Sequence, residues 1–229
     1  MEKMKRYAIY YAPEPGPLAD LAAHWLGWDA AAGRALPHPD LAGLPRQVAE
    51  ITETPRKYGF HGTIKPPFRL AAGQTAEALH RACADLATRL APVTLDGLHL
   101  SQLGGFLALT PQGDASALAD LAATVVRDLD AFRAPPTEAE IARRRPELLT
   151  MRQRALLDQW GYPYLMEEFR FHLTLTGDLG TPETSAVATA LGPHLAPHLP
   201  RPFVIRDLCL FGEATDGMFR ILHRYTLSP

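Results

Sequence analysis

Cysteine is scarce in this chain, which contains only Cys83 and Cys209 among its 229 residues. Neither belongs to a Cys-x-x-Cys pair, so the sequence offers neither a disulfide framework nor a cysteine-based zinc motif. Isolated cysteines of this kind are typical of a protein in a reducing compartment. We therefore expect both thiols to be buried and free.

Long apolar runs are also missing. No window of the sequence approaches the roughly 18 uninterrupted apolar residues of a membrane-spanning helix. The first residues, MEKMKRYAIYYAP, contain no apolar stretch long enough for a signal peptide. These absences predict a soluble, cytoplasmic protein with no membrane partner.

An excess of either charge is the third absence. Lys and Arg number 23 and Asp and Glu number 25, which gives a net charge of −2 with neutral histidines. A chain without a broad basic field is not expected to bind DNA or extended nucleic acid, although a short RNA end stays a candidate partner. Hydrophobic residues at 47% and charged residues at 21% are ordinary for a globular protein.

The first positive feature is a histidine and a threonine two residues apart in an otherwise apolar strand. The string YGFHGTIKPPF begins at Tyr58 and contains His61, Thr63 and Lys65. Alternate side chains of a strand share a face, so these three should point the same way. Burying an imidazole or a hydroxyl without a partner costs about 1–3 kcal/mol per group. We therefore expect this face to line a cleft.

The same arrangement recurs in the other half of the chain. The string FRFHLTLTG carries His172 and Thr174 at the same spacing. The segments PVTLDGLHL from Pro92 and PFVIRDLCL from Pro202 align without a gap, and each follows a motif histidine at almost the same distance. We infer two copies of one unit, related by a pseudo-twofold axis.

These patterns predict an α+β fold that forms a single bilobal domain over residues 1–229. Each lobe would be a small antiparallel sheet with helices outside, and the two sheets would face a central cleft. We place lobe 1 at about 5–115 and lobe 2 at about 169–229, with a helical, arginine-rich insertion at about 135–168.

Two imidazoles and two hydroxyls around one cleft suit acid/base chemistry at a phosphodiester. Imidazole titrates near ~6.5, so one of His61 and His172 can remove a proton while the other donates one to the leaving oxygen. The hydroxyls of Thr63 and Thr174 can hold the phosphoryl oxygens. This chemistry fits the formation or opening of a 2′,3′-cyclic phosphate and needs neither a metal nor another cofactor. The residues do not decide which histidine is the acid.

Other side chains are candidates for substrate contacts. Lys65 would add a cation to the cleft face, and Arg56 would approach it from the preceding loop. Thr137 and Glu140 form a capping box, which predicts a helix in the insertion. We expect the insertion to cap the cleft and to favour small substrates over long RNA. The candidate substrate-binding residues are Tyr58, Lys65, Arg56, Arg133, Arg152, Tyr162 and Tyr164.

Other interpretations of the paired motifs remain open. A zinc site would use both histidines, but a catalytic one needs a third protein ligand, and neither motif has an Asp, Glu or Cys on the same face. A non-catalytic module that grips a phosphorylated nucleotide or an RNA end would present the same groups, as would a phosphate-sensing subunit of a larger complex. The oligomeric state is open, with a monomer as the default expectation.

The paired motifs resemble the signature of the two-histidine phosphoesterase superfamily, which includes RNA 2′,3′-cyclic phosphodiesterases and bacterial RNA ligase-like proteins. That signature is one His-x-Thr or His-x-Ser motif in each lobe of a bilobal α+β fold. His61-Gly62-Thr63 and His172-Leu173-Thr174 match it. The resemblance implies a metal-independent hydrolase in which His61, Thr63, His172 and Thr174 are catalytic.

Longer strings are similar to a narrower group. RKYGFHGTIKPPF, FRAPP and WGYPYLMEEFRFHLTLTG resemble a bacterial family of uncharacterised proteins often encoded beside phosphonate-degradation genes. This resemblance implies a small phosphorylated substrate. The candidate that it suggests is a cyclic phosphate ester such as a phosphoribosyl 1,2-cyclic phosphate.

Overall fold

The computed structural model describes residues 4–228. Its strands are β1 (Arg6–Tyr11), β2 (Trp28–Asp29), β3 (Arg34–Ala35), β4 (Gly62–Phe68), β5 (Val93–Leu95), β6 (Gly97–Leu103), β7 (Phe106–Gln112), β8 (Leu173–Thr174), β9 (Phe203–Ile205), β10 (Asp207–Glu213) and β11 (Phe219–Thr226). Its helices are α1 (Pro17–Leu26), α2 (Val48–Ile51), α3 (Glu53–Arg56), α4 (Ala76–Ala87), α5 (Ser116–Asp128), α6 (Glu138–Ala142), α7 (Met151–Trp160) and α8 (Thr181–Leu195). Short 3₁₀ turns lie at Asp130–Phe132, Pro146–Leu148, Met166–Glu168 and Ala196–His198. The α+β class expected from the sequence is confirmed.

Seven strands form one central sheet in the order β11-β10-β1-β4-β8-β7-β6, and each neighbouring pair is antiparallel. The remaining strands form two small sheets, β2–β3 and β5–β9. Alternation along β1 separates the two faces of the central sheet. Tyr7, Ile9 and Tyr11 belong to the main core, whereas Ala8 and Tyr10 belong to a smaller cluster on the opposite face.

Helices α1, α4, α5 and α8 bury apolar side chains in the main core. One side chain from each, Trp25, Leu79, Leu118 and Leu191 respectively, is at most 1% exposed. Because these helices cover one face of the sheet, the opposite face near the sheet centre is left for a cleft. Within the described part of the chain, no helix is long and apolar enough to cross a membrane.

The insertion contains short helices, as expected. The hydroxyl of Thr137 accepts a hydrogen bond from the backbone N–H of Glu140, and the carboxylate of Glu140 accepts one from the backbone N–H of Thr137. This reciprocal pair confirms the predicted capping box at the start of α6. A second capping box, formed by Thr150 and Gln153, starts α7, which ends at Gly161 in the left-handed conformation.

The two segments that align in the sequence pair with each other in the structure. Strands β5 and β9, which come from these segments, form a two-stranded antiparallel sheet in which Val93 pairs with Ile205 and Leu95 pairs with Phe203. In the sequence alignment Val93 corresponds to Phe203 and Leu95 to Ile205, so the pairing is centred on the equivalent residues Thr94 and Val204. An antiparallel register centred in this way fits a pseudo-twofold relation.

The predicted lobe boundaries, about 5–115 and about 169–229, do not correspond to the two halves of the sheet. The chain leaves β4 through α4 and re-enters the sheet at β6, beyond β8; it leaves β8 through α8 and re-enters at β10, beyond β4. Each crossover thus carries the chain into the other half. The two sheets expected from the sequence are the halves of one sheet, joined where Gly62 pairs with Leu173.

Candidate active site

The two motif strands lie side by side at the centre of the sheet, where Gly62 of β4 pairs with Leu173 of β8. Both of these residues are buried, and Leu173 belongs to the main core. The motif polar residues alternate with them and therefore lie on the face away from the helices. The antiparallel register sets each histidine opposite the threonine of the other motif: His61 opposite Thr174, and His172 opposite Thr63.

A glycine is required at the centre of this arrangement. A Cβ on Gly62 would overlap the ring of Phe171, which belongs to the main core. The absence of a side chain lets the ring of one motif strand pack directly against the backbone of the other.

Both imidazoles are held in the same tautomer. Nδ1 of His61 lies 2.9 Å from the carbonyl oxygen of Gly59, and Nδ1 of His172 lies 2.8 Å from that of Arg170. A carbonyl oxygen can only accept, so each Nδ1 must carry the hydrogen and donate it. In each neutral ring, Nε2 then holds the lone pair that can take up a proton.

His61 is enclosed by aromatic rings. The ring of Tyr10 stacks on its imidazole with centroids 4.0 Å apart, and the rings of Tyr58 and Phe211 lie at 5.6 and 6.3 Å. Burial, together with the neighbouring imidazole of His172, lowers the pKa of His61 to about 4. His61 is therefore neutral at neutral pH.

Two adjoining cavities form the cleft over the motifs. The first, of about 220 Å³, is lined by His61, Thr63 and Thr174 together with Tyr10 and Tyr58. The second, of about 320 Å³, is lined by His172 and again by Thr63. The walls that the two cavities share are Thr63, Pro66 and Tyr162.

The insertion contributes the aromatic wall of the cleft. Tyr162 is half-buried and lines both cavities, and Tyr164, which is 46% exposed, lines the second. Their rings contact each other edge to face at 5.8 Å. The structure thus brings the predicted residues Tyr58, Tyr162 and Tyr164 to the cleft with the four motif residues.

Lys65 does not lie on the cleft face, contrary to the prediction. Its ammonium group donates to the carbonyl oxygen of Val126 at 3.1 Å and lies 3.4 Å from Oδ1 of Asp130. The side chain is 2% exposed, and burial lowers the pKa of its amine to about 8. Lys65 is therefore a buried, paired residue on the helix side of the sheet.

A β-bulge explains this position. The register between β1 and β4 shifts between the pairs Ile9–Lys65 and Tyr10–Thr63, so Ile64 is an extra residue opposite the β1 backbone. An extra residue breaks the alternation of a strand and re-aims the side chains beyond it. Strict alternation from Thr63 to Lys65 was therefore the wrong assumption.

Arg56 is also directed away from the substrate. Its guanidinium donates to the carbonyl oxygen of Leu26 at 3.0 Å, to that of Ala49, and to the hydroxyl of Thr52 at 3.1 Å. These bonds hold neighbouring backbone segments together. The prediction that Arg56 contacts substrate is thus not supported by its placement.

Arg133 and Arg152 lie outside the two cavities as well. Arg133 makes two hydrogen bonds to the carboxylate of Asp130, at 2.7 and 3.0 Å, and lines a neighbouring cavity. Arg152 is exposed and forms an ion pair with Glu167 on the surface of the insertion. Arg152 therefore has no place in the cleft.

Two residues outside the list of candidate site residues also belong to the cleft. Tyr10 is 1% exposed, stacks on His61 and lines the first cavity. Arg144 lines the same cavity, with its guanidinium carbon 4.4 Å from the centroid of the Tyr162 ring. Nothing in the local sequence marks Tyr10, because its position depends on the pairing of β1 with β4.

Within the described residues, the structure shows no third protein ligand for a zinc ion at the two histidines. Among residues 4–228, no three or more His, Cys, Asp or Glu side chains are grouped so that they could hold a metal ion. The two cysteines of the chain, Cys83 and Cys209, are buried and free.

The family model described as "Protein of unknown function (DUF1045)" matches residues 63–220. This match covers more than half of the chain, so the chain belongs to that family. It includes the whole second motif and begins at Thr63, the last residue of the first. The resemblance to an uncharacterised bacterial family is thereby confirmed.

Two curated relatives share this region of sequence. The protein named "Ribose 1,5-bisphosphate phosphokinase PhnN" of Janthinobacterium sp. (strain Marseille) is 38% identical over 190 residues, which are 82% of this chain and 42% of that protein. The protein of the same name from Laribacter hongkongensis (strain HLHK9) is 34% identical over 214 residues, 93% of this chain and 49% of that protein. The chain spans less than half the length of either relative. A solved structure, E. coli LigT complexed with 3′-AMP, is similar at a TM-score of 0.46 and 15% identity over 99% of this chain and 100% of that one.

Proposed function

We propose that this chain is a phosphoesterase that opens a small cyclic phosphodiester by acid/base catalysis between His61 and His172. The observation that carries the proposal is their arrangement across the Gly62–Leu173 pair. Both imidazoles have Nδ1 fixed by a backbone carbonyl, and each lies opposite a threonine of the other motif. Such an arrangement supplies an acid, a base and two hydroxyl donors around one phosphoryl group.

His61 is the better base of the pair. Its lowered pKa, about 4, keeps the imidazole neutral at neutral pH, with Nε2 free to accept a proton. An imidazole with so low a pKa would rarely carry the proton that an acid must donate. We therefore assign the base to His61 and the acid to His172.

The reaction follows from these roles. A water oxygen attacks phosphorus while Nε2 of His61 takes its proton, and the bond between phosphorus and one ring oxygen breaks. His172 gives a proton to that leaving oxygen, which becomes a hydroxyl. Thr63 and Thr174 donate hydrogen bonds to the non-bridging oxygens, whose negative charge grows in the transition state. The product is the ring-opened phosphate ester. His61 has then gained one proton and His172 has lost one, so transfer of a proton from His61 to His172 restores the starting state.

The proposed substrate class is a cyclic phosphate of ribose, used in phosphonate metabolism. Cavities of about 220 and 320 Å³ match a small molecule better than an extended polymer. The names of the two relatives give those proteins a phosphorylated ribose as substrate, which supports a sugar phosphate here. The phosphokinase activity in those names is stated of proteins more than twice as long as the shared region, and we do not propose it for this chain.

Phosphorus NMR in the presence of EDTA tests the proposal. The substrates are adenosine 2′,3′-cyclic phosphate and ribose 1,2-cyclic phosphate. Wild type should open at least one ring, and His61→Ala and His172→Ala should each slow the reaction about 10²–10⁴-fold. His194→Ala, at an exposed position of α8, is the matched control and should keep the wild-type rate.

Two outcomes would contradict a phosphoesterase. Unchanged rates in both motif variants would remove the histidines from the chemistry. Binding of either compound without turnover by the wild type would instead favour the non-catalytic module that grips a phosphorylated ligand.

A further inference from the structure

The cleft continues into a third cavity whose walls are rich in arginine. This cavity, of about 200 Å³, adjoins the one that contains His61, and Tyr58, Pro67 and Arg144 line both. Its arginines are Arg69, Arg133, Arg143 and Arg144, and Glu140 is its acidic residue. We call it the arginine pocket.

Two of the four arginines are already neutralised. Arg69 binds the carboxylate of Glu140 through Nη2 at 3.0 Å and also donates to the carbonyl oxygen of Pro135 at 2.8 Å. Arg133 binds the carboxylate of Asp130 through two nitrogens, at 2.7 and 3.0 Å. These ion pairs build the wall of the pocket, and each offsets the charge of its guanidinium group.

Arg143 and Arg144 are not neutralised. Within residues 4–228, neither guanidinium forms an ion pair or a hydrogen bond with another residue. The guanidinium of Arg144 instead lies over the ring of Tyr162 at 4.4 Å. Stacking of this kind holds the plane of the group while leaving its N–H edge available to an anion. The pocket therefore presents uncompensated positive charge beside the proposed reaction centre.

We propose that the arginine pocket binds a second anionic group of the substrate, a phosphomonoester, through Arg144 with the support of Arg143. Guanidinium groups suit phosphate because their parallel N–H donors match two of its oxygens. The inference rests on the proposed function for the cyclic ester at the histidines. It adds that the preferred substrate carries a second, non-cyclic phosphate at its other end.

A solvated α6 surface is the rival explanation, because Arg143 and Arg144 are exposed at the end of that helix. Arginines of a solvated surface would not distinguish two ligands that differ by one distal phosphate. The two explanations therefore differ in one measurable ratio, the preference for the phosphorylated ligand over its unphosphorylated form.

The experiment compares matched ligand pairs with the whole chain. The pairs are adenosine 2′,3′-cyclic phosphate and ribose 1,2-cyclic phosphate, each with and without a 5-position phosphomonoester. Affinity is measured by calorimetry and kcat/KM by phosphorus NMR. Wild type should prefer the phosphorylated member of at least one pair by about 10–100-fold. Arg144→Gln should reduce this ratio toward one.

Arg145→Gln is the control, since Arg145 is the adjacent arginine and lines none of the three cavities. It should retain the wild-type ratio. Equal affinities of wild type for both members of each pair, a preference that persists in Arg144→Gln, or binding of no ligand at all would each overturn the subsite.

These outcomes separate the subsite from the phosphoesterase itself. Ring opening that depends on His61 but ignores the distal phosphate overturns the subsite alone. A distal-phosphate preference in binding without any ring opening supports the subsite and overturns the phosphoesterase.

Discussion

The two motif histidines share one backbone setting and differ in their surroundings. Each donates its Nδ1–H to the carbonyl two residues earlier in the chain. His61 stacks on Tyr10 at 4.0 Å, whereas the ring contact of His172 is the more distant Phe106 at 5.8 Å. The two histidines thus make equivalent hydrogen bonds, but aromatic rings cover His61 more closely than His172.

This asymmetry follows from the unequal halves of the sheet. Beyond β4 lie β1, β10 and β11, which supply Tyr10, Phe211 and Phe219 on the cleft face. Beyond β8, the described residues 4–228 place two strands, β7 and β6. The motif therefore determines which groups meet, while the strands next to it determine how closely aromatic rings cover each imidazole.

The largest expected effect separates the two histidines by the leaving group of the substrate. His172→Ala should lower kcat/KM for ribose 1,2-cyclic phosphate about 10²–10⁴-fold, because a poor alkoxide leaving group needs a proton. With catechol cyclic phosphate, which leaves as a less basic phenoxide, this loss should shrink by about tenfold or more. In His61→Ala, kcat/KM should fall by a similar factor with both substrates, because the attack of water on either one still needs a base.

Initial rates of the wild type and both variants with the two substrates measure this difference. Losses in His172→Ala that do not depend on the leaving group would contradict its role as the acid. If the loss of kcat/KM in His61→Ala were instead the one that is smaller with catechol cyclic phosphate, His61 would be the acid and His172 the base.

The next effect concerns the residue between the histidines. Gly62→Ala should lower the free energy of unfolding by about 1–3 kcal/mol, because a Cβ there overlaps the ring of Phe171. Gly192→Ala in α8 is the matched control: its Cβ would lie 3.7 Å from Leu100, an ordinary contact. Alanine is also favoured over glycine in a helix, so this variant should not lose stability.

Chemical denaturation compares the two variants. Equal stability of Gly62→Ala and the wild type would mean that Phe171 can move away from β4. The two motifs would then be joined less tightly than their pairing indicates.

Several features could be predicted because the sequence contains them locally. The two His-x-Thr motifs, the capping box of Thr137 and Glu140, and the aligned repeat segments each depend on residues close together in the chain. The structure pairs the repeat segments directly and places both motifs on one face.

Other features depend on residues far apart in sequence. The bulge that turns Lys65 away from the cleft exists only against its β1 partner strand. Arg56 is held by the carbonyl of Leu26, which lies 30 positions earlier. The crossovers through α4 and α8 exchange strands between the halves. No local pattern of hydrophobic or polar residues contains this information.

The smallest expected effect is a pH dependence set by His61. Burial lowers the pKa of His61 to about 4, below the ordinary value of 6.5, so the unfolded chain binds the proton more tightly than the folded chain does. The contribution of His61 to the free energy of unfolding should be complete above about pH 6.5 and fall as the pH is lowered to about 4. Likewise, the acidic limb of kcat/KM should have an apparent pKa of about 4.

Substitutions at Tyr10 test whether its ring causes this shift. Tyr10→Leu removes the stacked ring and lets water reach the imidazole, so the apparent pKa of the acidic limb should rise toward that of free histidine. Tyr10→Phe keeps the ring and should leave the limb where it is in the wild type. Profiles of kcat/KM against pH measure all three proteins. A wild-type limb already at about 6.5, or no change in Tyr10→Leu, would show that the ring of Tyr10 does not set the pKa of His61.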